Sequence, residues 1–378
     1  MTPARPGALT GRIVTPDAVV DGTLRVGAGL IAAIEPAPVG PDAPWIVPGF
    51  VDMHVHGGGG YTFTTGDPGQ ARGAAAFHLG HGTTTLLASL VSSPPEVTAT
   101  ATKAFAPLVA DGTLAGVHFE GPYLAAACRG AQNPAYLRDP SVDELRPLVG
   151  DGVLRMVTLA PELPGAAAAI ALLVGAGVVV AVGHTDATYA QVRDAVAAGA
   201  TVGTHVFNGM RPPHHRAPGP VYALLGAAGV TCELIADGVH LDDGTLEFAT
   251  TVVGRERAAL VTDAIEATGT ADGDYELGGQ AVTVRDGVAR LATADGSPGS
   301  IAGSTLTMDA AFRRLVRVGG SIVDAAHAAA TTPARTLGLR DRGALAVGLR
   351  ADAVVLDADL RVSAVFRGGA RATPQRGR

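Results

Sequence analysis

Histidines and acids recur where apolar runs of the chain end: Asp52-Met-His54-Val-His56, His118-Phe-Glu120, Gly183-His184-Thr-Asp186, Thr204-His205 and Thr262-Asp263-Ala264. Imidazole and carboxylate together are the donor set of zinc or another divalent first-row ion. The His54-Val-His56 spacing adds a geometric argument, because alternate residues of a strand share one face and two imidazoles can then reach one ion. Taken singly, a histidine at a strand end is most often a hydrogen-bonded structural residue, and Asp263 could equally cap a turn. Place changes the reading. If these runs are parallel strands of one closed sheet, all of these side chains stand on the same rim. Asp263, the sole acid at the end of the last run, is then placed to take a proton from water and return it to a leaving group.

What is absent narrows the chemistry further. The chain has one lysine, Lys103, on an expected surface helix. A carbamylated lysine bridging two ions, or a Schiff-base lysine, would have to stand at a strand end, so both are excluded. Glu120 is left as the bridging or anchoring carboxylate. The two cysteines, Cys128 and Cys232, are too far apart in sequence for a disulfide framework or a zinc ribbon. Cys128 is expected to be a small buried filler. His78, His81 and His327 fall in helical segments and are assigned no role. His214-His215-Arg216 makes a locally cationic loop whose guanidinium fork suits phosphate, although on the residues alone it reads as a solvated surface loop.

The elements that must position these groups are legible as repeats of apolar run, polar exit and Ala-rich helix from Trp45 onward. Eight candidate strands are Ile46–His54, Thr83–Leu90, Leu114–Phe119, Arg155–Ala160, Val178–Gly183, Thr201–Val206, Cys232–Ala236 and Ala259–Thr262. Runs that are apolar throughout, separated by helices such as Ala187–Ala198 and Glu247–Val253, imply parallel strands buried on both faces. Eight in series predict an α/β fold, a (β/α)8 TIM barrel. Leu9–Ile34 and Gly343–Arg371 carry short β-like segments too poor in apolar surface to stand alone. They are expected to pair into a small β-sandwich, giving residues 1–46 and 339–378 to that domain and 47–338 to the barrel. Thr268–Ser300, rich in Gly and Asp, reads as a hairpin-like insertion after the eighth strand.

Length and charge agree with that picture. The 378 residues, 47% hydrophobic, suit one large barrel and a smaller companion. A net charge of -7 gives no basic face for nucleic acid, while leaving room for an anionic substrate held by a local Arg or His cluster. Gly165–Gly183 is uncharged over nearly a membrane span, but its Gly175-Ala-Gly177 break reads as an Ala-rich helix followed by a buried strand. No apolar leader follows Met1. The expectation is a cytoplasmic protein without membrane contact.

These motifs resemble those of the amidohydrolase superfamily, and within it the N-acetylglucosamine-6-phosphate deacetylase family. Pro48-Gly-Phe-Val-Asp-Met-His-Val-His-Gly57 is similar to the first-strand signature and His118-Phe-Glu-Gly-Pro122 to the metal-binding glutamate motif. Gly183-His-Thr-Asp186, Thr204-His-Val-Phe-Asn208, Asp237-Gly-Val-His240 and Leu260-Val-Thr-Asp-Ala264 follow in the family's order, and the resemblance runs from Pro48 to Ala302. It implies that Glu120, His184 and His205 ligate a main divalent metal, most simply zinc, with iron, manganese or cobalt as alternatives. His54 and His56 would hold a second ion, Asp263 would be the general base and acid, and His240 would polarise the amide carbonyl. Arg216, in Arg216-Ala-Pro-Gly219, would reach the 6-phosphate of a neighbouring subunit's substrate across a homodimer interface. Asn208, Gly209, Gln132 and Ala302 would touch the phosphorylated N-acetyl amino sugar. Gln132 stands where the family usually has His, and Gly209 where it has Ala. The implied reaction is deacetylation of N-acetylglucosamine 6-phosphate, with another N-acyl amino sugar or N-acyl amino acid as the alternative substrate.

Overall fold

In the computed structural model, which describes residues 7–372, eight parallel strands follow one another round a barrel in chain order. They are β1 (Phe50–Asp52), β2 (Thr83–Val91), β3 (Gly116–Glu120), β4 (Leu154–Leu159), β5 (Val179–Val182), β6 (Val202–Gly203), β7 (Thr231–Ile235) and β8 (Ala258–Val261). Strands β2, β3, β7 and β8 are buried at every position, as strands with helices outside and packed side chains inside must be. The uncharged stretch 165–183 resolves into the helix Ala166–Gly175 and strand β5. Among the described residues no helix is long and apolar enough to cross a membrane.

The barrel is closed between β1 and β8 by side chains and by backbone bonds just past the strand ends, where the His56 and Gly57 N–H groups donate to the Ala264 carbonyl at 2.8 and 2.9 Å. Asp52, fully buried, accepts from the Thr262 hydroxyl at 2.6 Å and the Thr262 N–H at 3.3 Å. The Asp263 N–H donates to the His54 carbonyl at 2.9 Å. Burial pushes the Asp52 carboxyl up to about 7, against the pull of its Thr262 bonds. The seam of the barrel is thus made by the residues that precede and carry the chemistry.

Two expected strands are shorter than the apolar runs that announced them. Ile46–His54 divides at Gly49: Trp45–Pro48 joins the terminal sheet, while Phe50–Asp52 enters the barrel. A Cβ at Gly49 would meet the Thr84 hydroxyl at 2.4 Å, so the chain passes between the two sheets only as glycine. Thr201–Val206 keeps two strand residues, because His205 turns into the left-handed region (φ 24) and ends the ladder.

The two ends of the described chain build the expected β-sandwich as one seven-stranded sheet that curls on itself. Trp45–Pro48 lies between Ala353–Leu356 and Ala8–Val14, tying C-terminal to N-terminal strands. Its far edge returns through bonds from Ile31 N–H to Leu349 O (2.8 Å) and Ala351 N–H to Gly29 O (2.9 Å). Ile13, Leu24, Ile31, Ile46, Leu345 and Phe366 fill the space between. The insertion after β8 is a three-stranded meander rather than a single hairpin: Gly273–Leu277, Gln280–Arg285 and Val288–Leu291. Its own core of Val282, Val284 and Ala289 packs on Val91, Ile265 and Ala302 at the barrel mouth.

Replacing Thr262 by Val keeps the volume but leaves a buried carboxylate short of its hydroxyl donor. The variant is expected to lose about 1–3 kcal/mol of stability, read as a lower denaturant midpoint with an unchanged m-value.

Candidate metal centre

Six of the residues singled out in sequence meet at the mouth of the barrel. Glu120, the last residue of β3, presents Oε1 to His184 Nε2 and His205 Nε2, each at 2.9 Å. Its Oε2 lies 3.2 Å from His56 Nε2, and Asp263 Oδ1 is 3.2 Å from that same nitrogen. His54 Nε2 completes the ring, 3.5 Å from Glu120 Oε1 and 3.5 Å from Asp263 Oδ1. Donor atoms of Glu120, His184 and His205 lie within 4.8 Å of one another, as do those of His54, His56, Glu120 and Asp263. The two sets share Glu120. His184, His205 and Asp263 all have left-handed backbones (φ 47, 24 and 50), a conformation that costs on the order of 1–3 kcal/mol at each non-glycine residue.

The second nitrogen of every imidazole is occupied. His184 Nδ1 donates to Cys128 O at 2.8 Å, His205 Nδ1 to Asn208 O at 3.2 Å and His56 Nδ1 to Ser89 O at 3.1 Å. His54 Nδ1 bonds Glu233 Oε2 at 3.1 Å. These bonds place the proton on Nδ1 and turn four Nε2 lone pairs inward, the arrangement that a cation bound by histidine requires. Bare lone pairs facing bare carboxylates would repel, so in the protein alone protons take the cation's place. Burial by itself would depress these imidazoles. The Asp263 and Glu120 carboxylates outweigh it, push His56 up to about 9 and hold His54 and His184 above the usual imidazole range. By the same coupling Glu120 and Asp263 are held below the carboxylate range in spite of burial. The donor set and its orientation fit a divalent ion.

Glu233, inside β7, is a functional residue that the sequence reading passed over. Its Oε2 also accepts the His205 N–H at 3.2 Å, so one buried acid orients residues from both sets. The signal was present in Thr231-Cys-Glu-Leu-Ile235, where an acid stands in the middle of a wholly buried strand and therefore needs a partner. His118, by contrast, takes no part in the ring. Ser89 Oγ and Thr158 Oγ1 bond its two nitrogens at 2.9 and 2.8 Å, and burial, with His54 beside it, holds it well below the imidazole range. Asp186 turns outward to Arg211 at 2.7 Å.

A cleft of about 260 Å³ opens over the ring, lined by His56, Glu120, His184, His205, Asp263, Gln132, Asn208, Gly209 and His240. Leu277 and Ile301 reach it from the meander and the segment after it. His240 Nδ1 bonds Asp237 Oδ2 at 2.7 Å, and although burial lowers it, that carboxylate holds the imidazole above its usual range. Gly209, at φ 60, comes so near His184 that a Cβ would lie 2.8 Å from Nδ1, so the alanine usual in the family would have to displace the ring. Ala302 is buried in the meander's core and gives its N–H to Ala289 O, while its neighbours Ile301 and Gly303 line the cleft. Arg216 does not line it. It is exposed in a loop, its guanidinium hydrogen-bonded to His215 Nε2 at 2.8 Å, with the His214 and His215 rings packed together. Cys128 is half-exposed in the loop over His184, contrary to the buried filler expected, and contributes its carbonyl rather than its thiol.

A (β/α)8 barrel with imidazoles and acids gathered at the carboxyl ends of its strands defines a metal-dependent hydrolase. The amidohydrolase family model matches residues 45–374, and the chain belongs to that family. It is 35% identical over 334 residues to an N-acetylglucosamine-6-phosphate deacetylase from Lysinibacillus sphaericus, covering 86% of this chain and 84% of the relative. It is 38% identical over 357 residues to an N-acetylgalactosamine-6-phosphate deacetylase from Escherichia coli O157:H7, covering 92% and 93%. A solved structure of a mutant Mycobacterium smegmatis N-acetyl-D-glucosamine-6-phosphate deacetylase, in complex with N-acetyl-D-glucosamine-6-phosphate, superposes with a TM-score of 0.92 at 42% identity. The match spans 97% of this chain and 100% of that one.

Two outcomes follow from the protonated ring. Metal binding must displace protons, so zinc added to stripped protein at neutral pH is expected to release them, with affinity rising with pH; indicator titration measures both. Because His56 is raised on folding, its contribution to the stripped protein is full below the ordinary 6.5 and lost as pH rises through about 9. Melting curves of chelated protein across that window should fall, whereas those of the metal-loaded form should not. Glu233→Leu, which leaves His54 Nδ1 without its acid, is expected to weaken metal binding about 10- to 100-fold, measured by dialysis against graded chelator.

Proposed function

We propose that the chain removes the acetyl group from N-acetylglucosamine 6-phosphate, giving acetate and glucosamine 6-phosphate. The observation that carries this is the position of Asp263: an ionised carboxylate on the cleft wall, with Oδ1 3.2 Å from His56 Nε2 on the same ring that Glu120 divides. The N-acetylated 6-phosphosugar deacetylases among its relatives supply the substrate class.

Glu120, His184 and His205 would hold the main ion; His54 and His56, with Glu120 and Asp263, would hold a second. Zinc suits the donors best. When bound, the ion supplies Lewis acidity and brings the pKa of water towards neutrality. Asp263, kept ionised by His54 and His56, accepts the proton of the attacking water as its oxygen bonds the acetyl carbon. His240, held by Asp237 with Nδ1 engaged, turns Nε2–H to the carbonyl oxygen and stabilises the charge that develops there. The C–N bond then breaks, Asp263 gives its proton to the sugar amine, and acetate leaves.

Asn208, Gly209 and the backbone around Ala302 receive the sugar. Arg216 reads the 6-phosphate from a second subunit, since in its own chain it stands outside the cleft. On this reading the working protein is a homodimer, acting in the cytoplasm. The coverage of the N-acetylgalactosamine-6-phosphate deacetylase favours one alternative, the C4 epimer as substrate.

Asp263→Asn is expected to lower kcat about 10²- to 10⁴-fold while the ion held by Glu120, His184 and His205 is retained; full turnover would eliminate the assignment. Arg216→Ala should raise KM for the phosphorylated sugar about 10- to 100-fold and leave an unphosphorylated N-acetyl sugar unaffected. Acetate release from the two epimeric 6-phosphates decides between the substrates.

A further inference from the structure

The resemblance assigns Gln132 to the substrate, yet its hydrogen bonds are already taken. Its side-chain Oε1 accepts the Ser92 N–H at 2.8 Å, and its Nε2 donates to Glu120 Oε2 at 2.6 Å. The residue is buried. The backbone bond decides which way round the amide lies, because only the oxygen can accept from an N–H, so the NH2 group must face Glu120. Ser92 follows the last residue of β2 and Glu120 ends β3. Gln132 thus clamps the loop beyond β3 to the ends of two adjacent strands.

The clamp acts on a torsion that is otherwise soft. The terminal torsion of a glutamate is broad and roughly two-fold, so an unrestrained carboxylate can tilt or exchange its oxygens. In this centre the oxygens are not equivalent: Oε1 faces His184 and His205, with His54 at 3.5 Å, and Oε2 faces His56. We infer that Gln132 is a positioning residue for the cation rather than a contact to the sugar. It pins Glu120 so that Oε1 is presented to the His184 and His205 side. One lone pair of Oε2 is filled by the amide, and the other is left for the His56 side. An amide makes this contact without adding charge or titrating.

The inference rests on the metal reading above, and its first readout, metal affinity, needs no substrate. Gln132→Met keeps the volume and removes the donor; Gln132→Ala removes it without any possible clash and serves if the first variant misfolds. Zinc affinity, measured by competition with a chromophoric chelator, is expected to fall about 10- to 100-fold in either variant. The visible spectrum of the cobalt-loaded protein should change with it. At saturating zinc, KM for the phosphorylated sugar should stay within about twofold of the wild type, the loss lying in metal retention. Unchanged zinc affinity and an unchanged cobalt spectrum, with a raised KM, would overturn the inference and return Gln132 to the substrate. Wild-type protein that binds no zinc would instead overturn the reading of the centre, and the inference with it.

Discussion

Three carboxylates, Glu120, Asp263 and Glu233, are held out of water at the mouth of this barrel, and among the described residues their only ion pairs are with imidazoles. Burying one such charge without compensation costs several kcal/mol, and here three lie close together. Either protons settle on the histidines or divalent cations enter. The first state raises the imidazoles, as His56 shows; the second is what the inward-facing Nε2 atoms are arranged to receive. Much of the surrounding structure serves to keep this unfavourable grouping together.

The barrel supplies the rigidity. Glu120 is in strand, with its backbone bonded on both sides to β2 and β4, while His184, His205 and Asp263 each sit two residues past a strand end in left-handed turns. Such strained positions persist only where neighbours over-determine them. The neighbours are identifiable: the Asp263 carbonyl accepts the Ser304 N–H, the His205 N–H donates to Glu233, and the His184 ring lies between Gly209 and the Cys128 carbonyl. The Asp52 and Thr262 seam closes the barrel directly beneath. Closure of the fold and placement of the acid are therefore one interaction.

The meander after β8 gives the cleft a second wall. Its core of Val282, Val284 and Ala289 is too small to be stable alone and is seated on Val91, Ile265 and Ala302. Packed there, it brings Leu277 against the same space as His240 and Asn208. An apolar wall on one side and an imidazole held by its own carboxylate on the other suit an uncharged acetyl group next to a polar sugar.

The barrel and the identity of the ring were legible in the sequence because both are local signals. Apolar runs recurring at regular intervals predict buried parallel strands, and His54, His56, Glu120, His184, His205 and Asp263 each stand at the end of one. Once strands are parallel in a closed sheet, their carboxyl ends share a rim by topology alone. The split at Gly49, the shortness of β6 and the three-stranded form of the insertion were not legible, since each depends on which neighbour a backbone meets. The same holds for the partners of the ring. Glu233 lies 179 residues from His54, Ser92 forty residues from Gln132, and the contacts that orient each side chain exist only after the strands are brought side by side. Residue type and spacing determined which groups could bind a cation; tertiary packing decided which nitrogen faces inward, which carboxylate oxygen is pinned and which histidine, His118, is withdrawn beneath the ring, because hydrogen-bond direction is a property of three-dimensional neighbours and not of chain order.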